Sequence, residues 1–345
     1  MVYPGRRHMP PGLAPATAHA SAALLERCRH FLSDSLRRIL AASPAFFVAA
    51  AVLVLAALAL CAAAPSSQRN CAYCGEPITG SHLEQNGKAY HRACWEDHVA
   101  LRCSLCGGII QGEYLKDAWG NRYHPSHRKE TVECEYCGRF ISENVTQGGV
   151  RYADGRNVCN ICRRTAVDGA GEGRKLVAGA AARLDKIGLK VDPSRVRLEL
   201  VDLRRMAEVS GDRSRLRTGY THYEWETSGD GERRTETVTV YVLIGMPRIE
   251  TIGTLAHELS HVWLSRADRF DTRPALAEGS CNYAAMRVLQ TYPGPESAHH
   301  VEKMRSSDDP AYGEGLRRVI RFVDRNGVEA WLDLVRRRND FPPGF

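Results

Sequence analysis

The sequence has no dense run of lysine and arginine interleaved with aromatic residues, although 47 basic residues face 40 acidic ones. A nucleic-acid interface needs a clustered basic face, so no nucleic-acid partner is expected, and the net charge of +7 reads as a solvated surface. Charge of either sign is missing from residues 45–64, AFFVAAAVLVLAALALCAAA. Nothing polar there marks a water-facing side, which excludes an ordinary amphipathic helix. Twenty residues at about 1.5 Å each match the roughly 30 Å hydrocarbon layer of a bilayer. Large apolar residues are also missing from RRTAVDGAGEGRK, so residues 165–173 read as a linker.

The charge-free run is expected to be a transmembrane or signal-anchor helix over 45–64. Residues 1–44 are a basic, partly disordered segment with six arginines against two acidic residues, which would keep that side cytoplasmic. The expectation is a single-pass membrane protein whose C-terminal domains lie outside the cytoplasm. A cleaved secretory signal starting at Met9 and a lipoprotein signal at Cys61 remain open alternatives.

What is present in quantity is cysteine, and it is periodic. CAYCGEPI, CSLCGGII and CEYCGRFI begin at Cys71, Cys103 and Cys134, a repeat of 32 and then 31 residues. Each opens on a pair of cysteines and closes on a second ligand pair: Cys71, Cys74, His91 and Cys94; then Cys103, Cys106, His124 and His127; then Cys134, Cys137, Cys159 and Cys162. Two ligands three residues apart grip one side of a tetrahedral ion, and a gap of 16 to 21 residues fits a hairpin that returns the second pair. Four protein ligands close each site, so three structural zinc ions are expected over residues 71–164. The metal would supply folding energy that such small modules lack. A disulfide framework is the competing reading; histidines in ligand register argue for zinc. His127 competes with nearby His98 for its place, and Cys28, Cys61 and Cys281 fall outside the pattern.

Residues 174–345 read as a compact domain. A helix near 174–187, a strand near 196–201 and a hairpin around SGDGE precede helices over 248–266, 274–290, 312–326 and 328–337. Residues 238–242 are taken as the edge strand that could pair with an extended peptide. Within the 248–266 helix lies His257-Glu258-Leu259-Ser260-His261. Residues four apart share a helix face, so His257 and His261 can bind one ion, with Glu258 beside it as general base and then general acid. A catalytic zinc needs a third protein ligand. Ala267 and Leu264 stand where the HExxHxxGxxH pattern requires histidine and glycine, which excludes that class. Glu278, seventeen residues past His261 on the next helix, is the candidate, an arrangement similar to the gluzincins. Asn282 could orient a histidine ligand. His299, His300, Tyr283, Tyr292 and Tyr312 are weak candidates for stabilising an oxyanion.

The repeated modules resemble LIM domains, except that eight and six residues separate successive modules where LIM domains have two, which suggests hinges. With HELSHVWL and LAEGSCN downstream, residues 71–345 resemble the LIM-domain peptidases known as plant organ-size regulators. The resemblance implies that His257, His261 and Glu278 bind a catalytic zinc, that Glu258 catalyses, and that the modules recruit or regulate a protein substrate. Those relatives carry acidic ubiquitin-interacting helices before the LIM region; none is legible here, and ubiquitin activation is not carried over.

The expected fold is an α+β multidomain chain with an N-terminal transmembrane helix, tandem LIM-like zinc-ribbon modules and a mainly helical zincin-like domain with a small β-sheet. The expected function is that of a membrane-tethered zinc endopeptidase using one catalytic and about three structural zinc ions. The alternative is a non-catalytic zinc-module adaptor on a degenerate peptidase scaffold, and a partner protein at the modules suits either.

Overall fold

The structure, a computed structural model, describes residues 6–8, 13–15, 69–213, 216–227, 234–266 and 272–345. One expectation is corrected at once: no helix among the described residues is long and apolar enough to cross a membrane, so a single-pass protein is not supported. The run at 45–64 itself lies outside the described residues. Of the stretch taken as disordered, Arg6–His8 and Leu13–Pro15 are strands, pairing antiparallel with Tyr114–Lys116 and Leu83–Gln85.

Each zinc module opens on the same knuckle. Gly75, Gly107 and Gly138 take φ of +80°, +72° and +68°, and each donates its N–H to the carbonyl of the first cysteine at 2.8–2.9 Å. A side chain would resist that left-handed turn, which explains the glycine after every second cysteine. A two-stranded hairpin then brings back the second ligand pair: Leu83–Gln85 with Lys88–Tyr90, Tyr114–Lys116 with Arg122–Tyr123, and Gly149–Arg151 with Asn157–Cys159. The first module buries Leu83, Tyr90 and Trp95, and the second Ile110, Leu115 and Tyr123. These are cores of a few residues, too small to hold a fold unaided. The modules are not free of one another. Phe140 of the third packs into the core of the second, and Asn144 Nδ2 donates to the Leu105 carbonyl at 2.7 Å.

The third module has no separate core. Cys134, Tyr136, Cys137, Val158, Cys159 and Cys162 belong to the same buried cluster as the C-terminal helices. Arg156, 2% exposed, pairs with Asp154 at 2.7 Å, bonds Tyr136 and donates to the Ile244 carbonyl at 2.9 Å. Ala166–Val167, inside the stretch taken as a linker, pairs antiparallel with Met246–Pro247.

The C-terminal part starts with α1 (Ala170–Asp185) and a three-stranded sheet of β1 (Val196–Val201), β2 (Gly219–Thr227) and β3 (Arg234–Leu243). The short α2 (Leu203–Ser210), capped by the Asp202 side chain, lies between β1 and β2. The sheet order is β1-β3-β2, with β1 parallel and β2 antiparallel to β3. Residues 238–242 are therefore central, paired on both sides, and the expectation of an edge there is corrected: β2 and β1 are the edges. Both hairpin arms alternate in the same way, and only the long-range arrival of β1 decides which is covered. The SGDGE turn lies outside the described residues.

Five helices complete the domain: α3 (Arg248–Arg266), α4 (Pro274–Leu289), α5 (Pro295–Arg305), α6 (Gly315–Asn326) and α7 (Val328–Arg337). A π-turn, Pro310–Glu314, leads into α6. Backbones of α4 and α6 meet at glycine: a Cβ on Gly279 would stand 2.3 Å from the Gly315 carbonyl carbon. Only glycine permits that approach, and it sets the π-turn beside the residue that follows Glu278.

Candidate metal centre and cleft

Helix α3 is buried on nearly all sides, with Leu255, Leu259, Val262 and Leu264 among its buried residues. From Glu250 to Ser265 every residue is buried except His257 and His261. A helix buried all round belongs to a core. Here the only breaks in that burial are two imidazoles four residues apart, and they open on one side.

Helix α4 supplies the carboxylate across from them. Glu278 Oε2 lies 3.1 Å from His257 Nε2 and 3.3 Å from His261 Nε2, and the two Nε2 atoms are 3.2 Å apart. Donors bound tetrahedrally to zinc at about 2.0–2.1 Å stand about 3.3 Å from one another, so this triangle has the right size for the ion. Burial alone would raise the Glu278 pKa, but hydrogen bonds from His257 and His261 hold it far below the carboxylate range. Cys281, one turn further along α4, has its sulfur within 4.8 Å of both histidine nitrogens. Burial pushes its thiol well above the ordinary value; the 3.1 and 3.3 Å contacts of Glu278 with the two histidines make the carboxylate the third donor in the reading below.

His257 is aimed by its other nitrogen. Nδ1 lies 2.8 Å from Asn282 Oδ1, and Asn282 Nδ2 donates to the Tyr312 carbonyl at 3.1 Å. The amide thus fixes Nδ1 as the protonated nitrogen and leaves Nε2 free as a donor to metal. The Tyr312 ring is stacked 5.9 Å from the imidazole. Asn282→Ala is expected to weaken zinc binding at this centre about 10–100-fold, checked by titration with a competing chelator; unchanged affinity would remove Asn282 from the site.

Glu258 lies against β2. Thr221 Oγ1 donates to its Oε2 at 2.7 Å and to its backbone carbonyl at 3.1 Å. Both line a cleft of about 1240 Å³. The floor is His257, Glu258, His261 and Glu278; β2 forms one wall, and Glu133, Tyr136 and Asn157 of the third zinc module form another. His299, His300 and Tyr312 reach the cleft, whereas Tyr283 is buried against Trp331 and Tyr292 lies under Arg183. Ala267 lies outside the described residues. Sequence reasoning missed Thr221 and Arg217, for neither carries a local motif.

The upstream clusters are assembled as the repeat requires: Cys71, Cys74, His91 and Cys94; Cys103, Cys106, His124 and His127; Cys134, Cys137, Cys159 and Cys162. Cys137 and Cys159 sulfurs are 3.7 Å apart, against about 3.8 Å for two thiolates on one zinc. His91 and His124 face a cysteine through Nδ1 at 3.4 and 3.5 Å, and each sets Nε2 on a backbone carbonyl at 3.2 Å. His127 is reversed, with Nδ1 on Glu130 at 3.3 Å and Nε2 buried without a partner. A buried ring nitrogen left bare is costly, and an ion at the cluster would satisfy it. His98 stacks on Tyr73 at 4.2 Å and takes no part.

These features define a zinc-binding protein with LIM-like modules joined to a HExxH helix domain. Residues 179–300 match a family model described as DA1-like: Protein DA1. Protein DA1-related 1 of Arabidopsis thaliana is 24% identical over 79% of this chain and 61% of its own length, and Protein DA1 of the same plant 22% over 79% and 63%. LIM domain-containing protein B of Dictyostelium discoideum is 33% identical, over 27% of this chain and 15% of its own. The chain spans about three fifths of the length of these plant relatives. No solved structure matches. The chain is thus similar, across most of its length, to DA1, DA1-related and LIM domain-containing proteins of plants.

Proposed function

We propose that the chain is a zinc-dependent endopeptidase acting on a protein substrate, with the LIM-like modules presenting or gating that substrate and offering a surface to a partner protein. The observation that carries this reading is the donor triangle of His257, His261 and Glu278, with edges of 3.1–3.3 Å, at the only two positions between Glu250 and Ser265 that are not buried. Crowding two imidazoles and a carboxylate within 3.3 Å of one another in a half-buried site is costly without a compensating ion.

Zinc held by these three would supply a Lewis acid that polarises a carbonyl and acidifies water. Glu258, anchored by Thr221, takes the proton from the attacking water as the new C–O bond forms. It then gives that proton to the amine as the C–N bond breaks. The exposed edge of β2 offers backbone groups to an extended peptide, which would lie along the cleft between the sheet and the third module. A side chain at Gly219 would strike Glu258, so the edge stays clear of bulk next to the base.

The zinc-loaded chain is expected to hold four zinc ions, to cleave denatured casein, and to lose cleavage when a chelator has removed the first ion. Elemental analysis beside a gel-based cleavage assay checks this. A chain that carries only three ions and cleaves nothing would favour the adaptor reading.

A further inference from the structure

Of the five side chains considered for an oxyanion, Tyr283 and Tyr292 do not line the cleft. His300 is paired with Glu250 at 2.6 Å, and His299 packs on Trp119 of the second module at 4.7 Å. Tyr312 stands apart. Its ring is stacked on the His257 imidazole, 5.9 Å between centres and 21° between planes. His257 Nε2 is a corner of the donor triangle, so the phenol borders the place of the ion.

The backbone at Tyr312 is held from several directions. Asp309 caps the π-turn, accepting from the N–H groups of Ala311 and Tyr312 at 2.9 and 3.1 Å. The Tyr312 carbonyl accepts from Asn282, whose other end meets His257 Nδ1. A side chain at Gly313 would strike the Ser307 carbonyl, and Gly315 lies on Gly279 of α4. One residue thus gives its carbonyl to the orientation of His257 and its ring to the same imidazole. Short π-helical turns are frequent at functional sites. The hydroxyl is the part left unspent. Among the described residues it has no hydrogen-bond partner, and it is not one of the buried atoms that lack one, so water in the cleft reaches it. Arg217, which lines the same cleft, has its Nε buried and an outer nitrogen on Asp212 at 3.3 Å. An O–H donor on a fixed ring, open to the cleft beside the donor triangle, suits an oxygen that arrives with the substrate.

We propose that Tyr312 is a catalytic residue whose hydroxyl donates a hydrogen bond to the substrate's carbonyl oxygen as negative charge develops there. This rests on the peptidase reading above. As the water oxygen bonds to the carbonyl carbon, the π pair moves onto the carbonyl oxygen, and the proton from water goes to Glu258. Tyr312 stabilises the new charge and keeps its own proton, since an ordinary phenol titrates at about pH 10. The pair then returns to the carbonyl as the C–N bond breaks, and Glu258 hands its proton to the amine.

The test uses the full zinc-loaded chain with Tyr312→Phe and Tyr312→Leu, casein-derived peptides as substrates, and a phosphinic pseudopeptide as an uncleavable tetrahedral anion. Tyr312→Phe keeps a ring on His257 and removes the hydroxyl alone. It is expected to lose about 10²–10³-fold in kcat while KM moves by less than about threefold. Calorimetry should show pseudopeptide affinity falling by a similar factor, with zinc content and unfolding midpoint unchanged. Tyr312→Leu, which loses the ring as well, should be no more active than Tyr312→Phe. Unchanged kcat or unchanged pseudopeptide affinity in Tyr312→Phe would overturn the assignment. So would a rise in KM alone, a loss of zinc that accounts for the loss of activity, or a Tyr312→Leu variant faster than Tyr312→Phe. Wild type that cleaves nothing sinks the peptidase reading and this inference with it, whereas wild type that cleaves no faster than Tyr312→Phe sinks this inference alone.

Discussion

Glu258→Gln is expected to retain all of its zinc and lose about 10²–10⁴-fold in peptide hydrolysis, the usual worth of a positioned general base. The substitution keeps the shape of the side chain, and the amide oxygen can still accept from Thr221 Oγ1, now 2.7 Å from the carboxylate. The donor triangle involves His257, His261 and Glu278 alone, so the metal does not depend on Glu258. What disappears is the ability to take a proton from water and return it to the amine. His261→Ala differs in kind, because it removes a donor and should lower both zinc content and activity. Zinc analysis with single-turnover cleavage separates the two variants. If Glu258→Gln cleaves as fast as wild type, the histidine pair is a structural site and the peptidase reading is wrong. If it stays inactive yet binds substrate, it becomes a trap for identifying the substrate.

The donor set was legible because it obeys local rules. His257 and His261 share a face by helix periodicity, and Glu278 follows on the next helix at a distance that an antiparallel pair can bridge. The twelve upstream ligands repeat with a spacing that only a knuckle and a hairpin satisfy. Arg217 was not legible. It lies forty residues before His257, and only the packing of β2 against α3 brings it to the cleft that Glu258 also lines. The order of strands was misread for a related reason: residues 219–227 and 234–243 alternate alike, and the covering strand Val196–Val201 comes from far away in sequence. Cys281 looked incidental because it matches no ligand pair, yet its place one turn from Glu278 puts its sulfur against both histidines. The third module's fusion to the C-terminal core was invisible because its cysteine pairs look like those of its neighbours. The difference lies in Tyr136, Asp154 and Arg156, which meet partners at Leu203 and Ile244.

That fusion leads to the second large expected effect: Cys159→Ser should unfold the cleft, while Cys74→Ser in the first module should not. Each substitution removes one ligand from a four-ligand cluster, so each should cost one zinc ion. Cys159 is fully buried, and its cluster is continuous with the core formed by Leu184, Val242 and Leu255. In the folded state that zinc also sets the wall bearing Glu133, Tyr136 and Asn157 opposite β2. Cys74 is exposed, and the small core of its module holds no residue from α3 or α4. Structural zinc contributes on the order of 10 kcal/mol of apparent binding energy, which is folding energy in such modules. If about half of that is lost to the shared core, the C-terminal unfolding midpoint falls by about 10–20 °C. The cause is not the thiol alone. Without the ion, three remaining buried thiols and the Arg156–Asp154 pair must be accommodated beside an apolar core that no longer closes around them. Calorimetry of both variants, with zinc counted in parallel, decides the matter. Equal falls in the C-terminal midpoint would mean that all three modules act as one unit. No fall for Cys159→Ser would mean that the third module is a bystander to the cleft it lines.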